Sequence, residues 1–200
     1  MAGAEGAGQR QHVPVLYQAV LTGLRPGQGG RYIDGTVGAG GHATGLLAAS
    51  APDGQLLGLD RDPAALAVAR ENLAVFGQRV KLLQASYTQM AEAAATVWPD
   101  GIPVDGILLD LGLSSLQLDD AARGFAFQAE GPLDMRFDPA AALTASEIVN
   151  TWPSDELAEI IYRYGEDEHG RRIANAIVAA RPLRTTRELA EVVARAVAGA

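Results

Sequence analysis

Apolar and polar positions follow two regimes along this 200-residue chain. Up to Asp110, short apolar runs alternate with segments of helical period. Val15–Leu24 predicts a short helix closed by Arg25-Pro26-Gly27, and Arg31–Gly35 a strand that ends in a glycine-rich turn. A helix is expected from about Gly41 to Ala51, a turn at Pro52-Asp53-Gly54, and a second strand over Gln55–Asp60. Pro63 suits the first turn of a helix running to about Phe76. Arg79–Gln84 predicts a third strand, Tyr87–Val97 a further helix, and Pro103–Leu109 a fourth strand ending at Asp110. Apolar strands joined by helices imply a parallel sheet covered on both faces. Right-handed crossovers then make the expected fold α/β, doubly wound and Rossmann-like.

Beyond Asp110 the pattern changes. Gly112–Pro139 shows no clear period and is rich in Gly, Asp and Phe. Three amphipathic sets follow at helical spacing: Leu157, Ile160, Ile161, Tyr164; then Ile173, Ala176, Ile177, Ala180; then Leu189, Val192, Val193, Ala196. The expected organisation is a loose tail over 1–11, an α/β domain over 12–115 and a loop plus helical module over 116–200. Only four strands are visible, where a doubly wound sheet normally continues. The sequence therefore reads as a chain without the remaining strands of its sheet.

Chemistry concentrates at the strand ends. Ligands of open α/β sheets bind beyond the carboxyl ends of the strands. Three strands end there in aspartate: Asp34, Asp60 and Asp110. Between the first strand and its helix lies Gly38-Ala39-Gly40-Gly41-His42, whose glycines allow positive φ and close approach of a ligand to the backbone. Asp60 follows Gly41 at a spacing that suits a carboxylate accepting from ribose hydroxyls. The segment also satisfies the dinucleotide pattern G-x-G-x-x-G/A, a weak signal alone. Charge separates the two ligands. A nicotinamide dinucleotide brings an anionic pyrophosphate to this turn. S-adenosylmethionine brings a sulfonium and an ammonium group, which carboxylates attract. One aspartate would read as a helix or loop cap; three on one edge favour the cationic ligand. An NAD-dependent oxidoreductase is the rival reading. Its usual Tyr-Lys pair is not available, because the one lysine, Lys81, sits in a strand.

Composition narrows the partners. The net charge of −8 argues against a generic nucleic-acid coat protein. One basic window interrupts the acidic second part: Arg171, Arg172, Arg181, Arg184 and Arg187 occur with no acid among them. A solvated helix face or an RNA-facing patch would both look like this. The absence of cysteine excludes disulfides and thiolate metal sites, and no metal is expected. No apolar run is long enough for a membrane helix, and the tail lacks a signal peptide's apolar stretch. A cytoplasmic location is the expectation.

Several longer motifs carry a resemblance. They are Asp34-Gly35-Thr36-Val37-Gly38-Ala39-Gly40-Gly41-His42, Leu59-Asp60-Arg61-Asp62-Pro63, Asp105 through Ser115, Gln117-Leu118-Asp119, Arg123-Gly124-Phe125, Gly131 through Arg136, and Tyr164-Gly165-Glu166. Together with the Ile173 to Val178 helix they resemble the ribosomal RNA small subunit methyltransferase H family, also called MraW, from about His12 onward. The resemblance implies a class I methyltransferase with a helical insert, using S-adenosylmethionine to methylate N4 of a cytidine in 16S ribosomal RNA, position 1402 in the usual RNA numbering. It implies cofactor contacts at Gly40, Gly41, His42, Asp60, Tyr87, Asp110 and Gln117, to which the charge argument adds Asp34 and the glycine turn adds Gly38. Val37, Tyr87 and Leu116 depart from the family pattern, and its Ser-Phe-His-Ser-Leu-Glu-Asp segment is not found. A remnant that binds cofactor or RNA without turnover is the non-enzyme reading. Asp110 is the candidate catalytic residue, as an acceptor for an amino proton. Arg123, Phe125, Arg136, Arg171, Arg172 and Arg184 are the candidate contacts to ribosomal RNA of the small subunit.

Overall fold

The computed structural model describes residues 14–101 and 103–198; the expected tail over 1–11 lies outside them. The chain divides into two compact units, the first ending at Leu111 and the second beginning at Gly112.

The first unit is a doubly wound α/β layer structure. Its elements in order are α1 (Tyr17–Leu24), β1 (Arg31–Asp34), α2 (Gly41–Ala49), β2 (Gln55–Asp60), α3 (Pro63–Asn72), β3 (Val80–Gln84), α4 (Met90–Val97) and β4 (Gly106–Leu108). The four strands are parallel in the order β3-β2-β1-β4. Alternate residues of the central strands feed two cores, as a period of two requires. Tyr32 and Leu56 pack with Leu46, Leu47, Leu66 and Leu73 on one face. Ile33, Leu57 and Leu59 pack with Ala93 and Trp98 on the other. The helix starts follow local chemistry: Asp62 accepts from the Ala64 N–H and Pro63 opens α3. The expected Rossmann-like sheet is present, with differences at element ends. The long third helix stops at Asn72 and continues as a 3-10 turn broken at Gly77, whose φ is 56°. The strand expected over Pro103–Leu109 is ordered as strand only at Gly106–Leu108, where Ile107 is half exposed on an edge.

The second unit is helical: α5 (Ser115–Asp119), α6 (Ala145–Thr151), α7 (Ser154–Gly165), α8 (Gly170–Ala180) and α9 (Thr186–Ala198). Its core joins Leu133, Val149, Leu157, Ile173, Ile177, Leu183 and Val192. The backbones of α7 and α8 approach closely at Gly170, where a Cβ would stand 2.9 Å from the Ala158 carbonyl. The aperiodic stretch ahead of α6 is a built loop. Thr186 ties it to α9, donating to the Ala129 carbonyl and accepting from the Gly131 N–H. Among the described residues no helix is long and apolar enough to cross a membrane.

Candidate ligand site at the strand ends

Strand order reverses between β1 and β4, which is where open α/β sheets open a crevice for ligand. The loop from Asp34 to Gly41 crosses this point and is braced on both sides. The Gly35 N–H donates to the Leu108 carbonyl at 2.9 Å, on the β4 side. The Val37 N–H donates to the Leu59 carbonyl at 2.9 Å, on the β2 side. The Asp110 N–H donates to Thr36 Oγ1 at 2.7 Å, so the end of β4 hangs on the loop. Gly38 and Gly40 have φ of 52° and 88°, the left-handed region that glycine occupies without strain. Gly40 is also packed: a Cβ there would meet Leu73 at 3.0 Å. No atom outside the turn comes near a Cβ built on Gly38.

The three aspartates occupy different environments. Asp34 is almost wholly buried, and one of its oxygens accepts from the Thr36 N–H at 3.1 Å. Burial pushes its carboxyl up to about 7, opposed by the Thr36 hydrogen bond and reinforced by the charges of Asp60 and Asp110. Asp34 is therefore shielded from solvent at the end of β1. Asp60 accepts from the Gly38 N–H through Oδ2 and from the Asp62 N–H through Oδ1, both at 2.9 Å. A carboxylate has about four lone-pair sites, so Asp60 holds the glycine turn and keeps capacity for a ligand. Asp110 is exposed, and its Oδ2 lies 3.7 Å from His42 Nε2. Among the described residues no lysine or arginine pairs with any of the three.

The remaining candidates divide between the units. Gly41 and His42 begin α2. Tyr87 opens the 3-10 turn ahead of α4, and it stands close enough to Gly35 that a Cβ there would meet Tyr87 Cβ at 2.9 Å. Gln117 belongs to the second unit. It is buried, and its side chain accepts from the Ser114 N–H while Ser114 Oγ accepts from the Gln117 N–H. Three residues of the loop's frame escaped the sequence reading. Thr36 carries Asp110, Asn72 donates to the Ala39 carbonyl at 2.9 Å, and Leu73 fills the space over Gly40. Thr36 could have been suspected from its place between Asp34 and Val37; nothing local marked the other two.

The RNA candidates also sort by environment. Arg123 donates to the Arg136 and Phe137 carbonyls at 2.9 Å and lies over the Phe125 ring. Phe125 packs on Phe137 with centroids 5.3 Å apart. Arg136 grips Asp134 with two nitrogens, at 2.7 and 2.9 Å, and donates to the Ala141 carbonyl. The Arg136 hydrogen bonds hold the Asp134 carboxyl below its ordinary range. These side chains build the loop that carries exposed Phe127 and Met135. Arg171, Arg172 and Arg184 are exposed, whereas Arg181 donates to the Val149 and Trp152 carbonyls at the end of α6.

Comparison with known proteins settles the kinship. The sequence pattern of the MraW methylase family matches residues 9–200. The chain belongs to the MraW methylase family. It is 50% identical over 185 residues to a protein of Citrifermentans bemidjiense named ribosomal RNA small subunit methyltransferase H, covering 91% of this chain and 59% of that one. It is 52% identical over 187 residues to a protein of the same name from Thermomicrobium roseum, covering 92% and 57%. The chain thus spans about three-fifths of the length of these curated relatives. A crystal structure described as an rRNA-methylase from Clostridium thermocellum aligns with 24% identity and a TM-score of 0.42 over 50% of this chain and 53% of that one.

Proposed function

We propose that the first unit binds S-adenosylmethionine and that the protein methylates N4 of a cytidine in 16S ribosomal RNA within the small subunit. The observation that carries the cofactor reading is the acidic strand edge: Asp34, Asp60 and Asp110 gather at the switch point, and among the described residues no lysine or arginine pairs with them. Such an edge repels a pyrophosphate and attracts a sulfonium and an ammonium group. Membership of the MraW methylase family and the names of the relatives support the RNA substrate.

Bound there, the cofactor supplies an electrophilic methyl group for in-line displacement. The protein's own part is position and electrostatics. The turn at Gly38–Gly40 presents bare backbone, Asp60 faces ribose hydroxyls, and Tyr87 offers an aromatic face to the base. Cytosine N4 is a weak nucleophile because its lone pair is delocalised into the ring. A carboxylate accepting an N4 proton localises that pair, and exposed Asp110 is the residue proposed to accept it. The target base has to leave its stack. Arg171, Arg172 and Arg184 are proposed as phosphate contacts, and the loop shaped by Arg123, Phe125 and Arg136 as a surface for unstacked bases.

Calorimetry with S-adenosylmethionine and with NADH tests the cofactor. Binding of the first and not the second is expected, and the reverse overturns the reading. Methyl transfer to small-subunit particles, read by incorporation of labelled methyl, tests the reaction. Asp110→Asn should lower transfer at saturating cofactor; a wild-type rate would remove Asp110 from the chemistry.

A further inference from the structure

His42 presents a chemical problem. Its ring is buried on the first turn of α2, stacked on Tyr17 with centroids 6.1 Å apart and planes 19° from parallel. Among the described residues, its Nδ1 is the buried side-chain polar atom left without a hydrogen-bond partner. Its Nε2 lies 3.7 Å from Asp110 Oδ2. Asp110 has its backbone fixed by Thr36, yet its side chain is 58% exposed and its carboxylate would otherwise be free to rotate.

A neutral imidazole carries one proton, and Nδ1 stays unpaired wherever that proton sits. The Nε2 side decides. With the proton on Nδ1, the Nε2 lone pair faces a carboxylate oxygen and is repelled. With the proton on Nε2, an N–H faces that oxygen and is attracted. The stacked Tyr17 ring restrains the plane of the imidazole. The 3.7 Å separation is longer than a hydrogen bond, but such contacts often tighten when the ligand seats.

We propose that His42, as its Nε2–H tautomer, is a positioning residue that holds Oδ2 of Asp110 and leaves Oδ1 turned to the ligand. This rests on the reading of the strand edge as the S-adenosylmethionine site. His42 then acts through Asp110 and carries no proton to or from substrate.

The tautomer is read directly by ¹⁵N imidazole shifts of the full chain at pH 8, without ligand. A pyrrole-type Nε2 and a pyridine-type Nδ1 are expected, and Asp110→Ala should reduce the preference to the weaker one of a free histidine side chain. An Nδ1–H or doubly protonated ring, or a pattern unmoved by Asp110→Ala, overturns the proposal. Calorimetry adds a cycle. His42→Leu should weaken S-adenosylmethionine binding about tenfold, the loss of one hydrogen bond to a charged group. His42→Gln, whose amide N–H can replace Nε2–H, should restore binding to within about threefold of wild type. In an Asp110→Ala background His42→Leu should cost nothing further; additive losses overturn the coupling. Should the wild-type chain fail to bind S-adenosylmethionine, the cofactor reading falls, while the ligand-free tautomer still decides the His42–Asp110 pairing.

Discussion

Two loops, one in each unit, treat charge in opposite ways. The loop over Asp34–His42 gathers three carboxylates and meets them with backbone N–H groups and one imidazole. The loop over Arg123–Ala141 pairs its charges internally, Arg136 with Asp134 and Arg123 with two carbonyls. Glycines differ in parallel. Gly124 is buried at φ 72°, where a Cβ would overlap the Pro132 carbonyl oxygen and stand 2.9 Å from the Asp134 nitrogen. Gly38 has a φ of 52°, and a Cβ there would meet only the Thr36 carbonyl, at an ordinary contact distance of 3.9 Å. The contrast separates charge used to build a fold from charge left available to a ligand.

The largest expected effect tests that contrast at its glycines. Gly124→Ala should cost about 3 kcal/mol or more of stability by combined strain and overlap, measured by urea unfolding. Gly38→Ala should cost only about 1 kcal/mol of stability, from its positive φ alone. Its effect on S-adenosylmethionine affinity should be the larger one. Equal destabilisation by both, with affinity intact in Gly38→Ala, would erase the distinction. Next in size is Asp60→Asn. The amide can replace only one of the two acceptors that hold the Gly38 and Asp62 N–H groups, and it removes the charge. Affinity should fall about tenfold to a hundredfold while the fold is retained.

The sequence made the sheet legible because buried parallel strands write themselves as apolar runs between turns. Strand ends and the glycine turn were legible for the same reason: Asp34, Asp60 and Asp110 interrupt those runs at the same edge. What was not legible depended on distant partners. Ile107 and Leu109 read as interior positions, yet both are exposed on the β4 edge, because an apolar run does not say which strand lies beside it. Tyr164 completes an amphipathic set with Leu157, Ile160 and Ile161, yet it is 76% exposed past the end of the helical core. Period alone cannot say where a core stops. Helix α5 was missed although Ser114 and Gln117 spell a capping box. The role of Arg123 was invisible because it donates to the Arg136 and Phe137 main-chain carbonyls, which no residue type announces.

The burial of Asp34 supplies a pH test of the same contrast. Its carboxyl is raised from 3.8 to about 7 by burial, so between those values the folded chain holds a proton that the unfolded chain has released. Stability from this group is full below the unfolded value and is lost as pH rises through the folded one. Melting temperature of the wild type should therefore fall from pH 5 to pH 8 relative to Asp34→Asn, in which the group does not titrate. A cationic ligand favours the ionised form, so wild-type S-adenosylmethionine affinity should rise over the same interval. Parallel profiles for wild type and Asp34→Asn would show that Asp34 does not titrate there. Asp134, held low by Arg136, should show no such dependence in this range.

The basic window carries the smallest effects and divides along the same line. Arg181 is bound to the last carbonyls of α6, so Arg181→Ala should lower stability by about 1 kcal/mol and leave the salt dependence of RNA binding unaltered. Arg171, Arg172 and Arg184 are exposed, and their guanidinium groups make no ion pair among the described residues. Replacing all three with alanine should leave the melting temperature within about a degree, since exposed side chains away from packed contacts contribute little. Each phosphate contact on a single strand adds about 0.7 to the slope of log affinity against log salt. The triple variant should therefore bind small-subunit RNA more weakly, with a slope shallower by about two. An unchanged slope would make these three arginines solvated surface like any other, and the arginines of the window would then differ only in whether they serve α6.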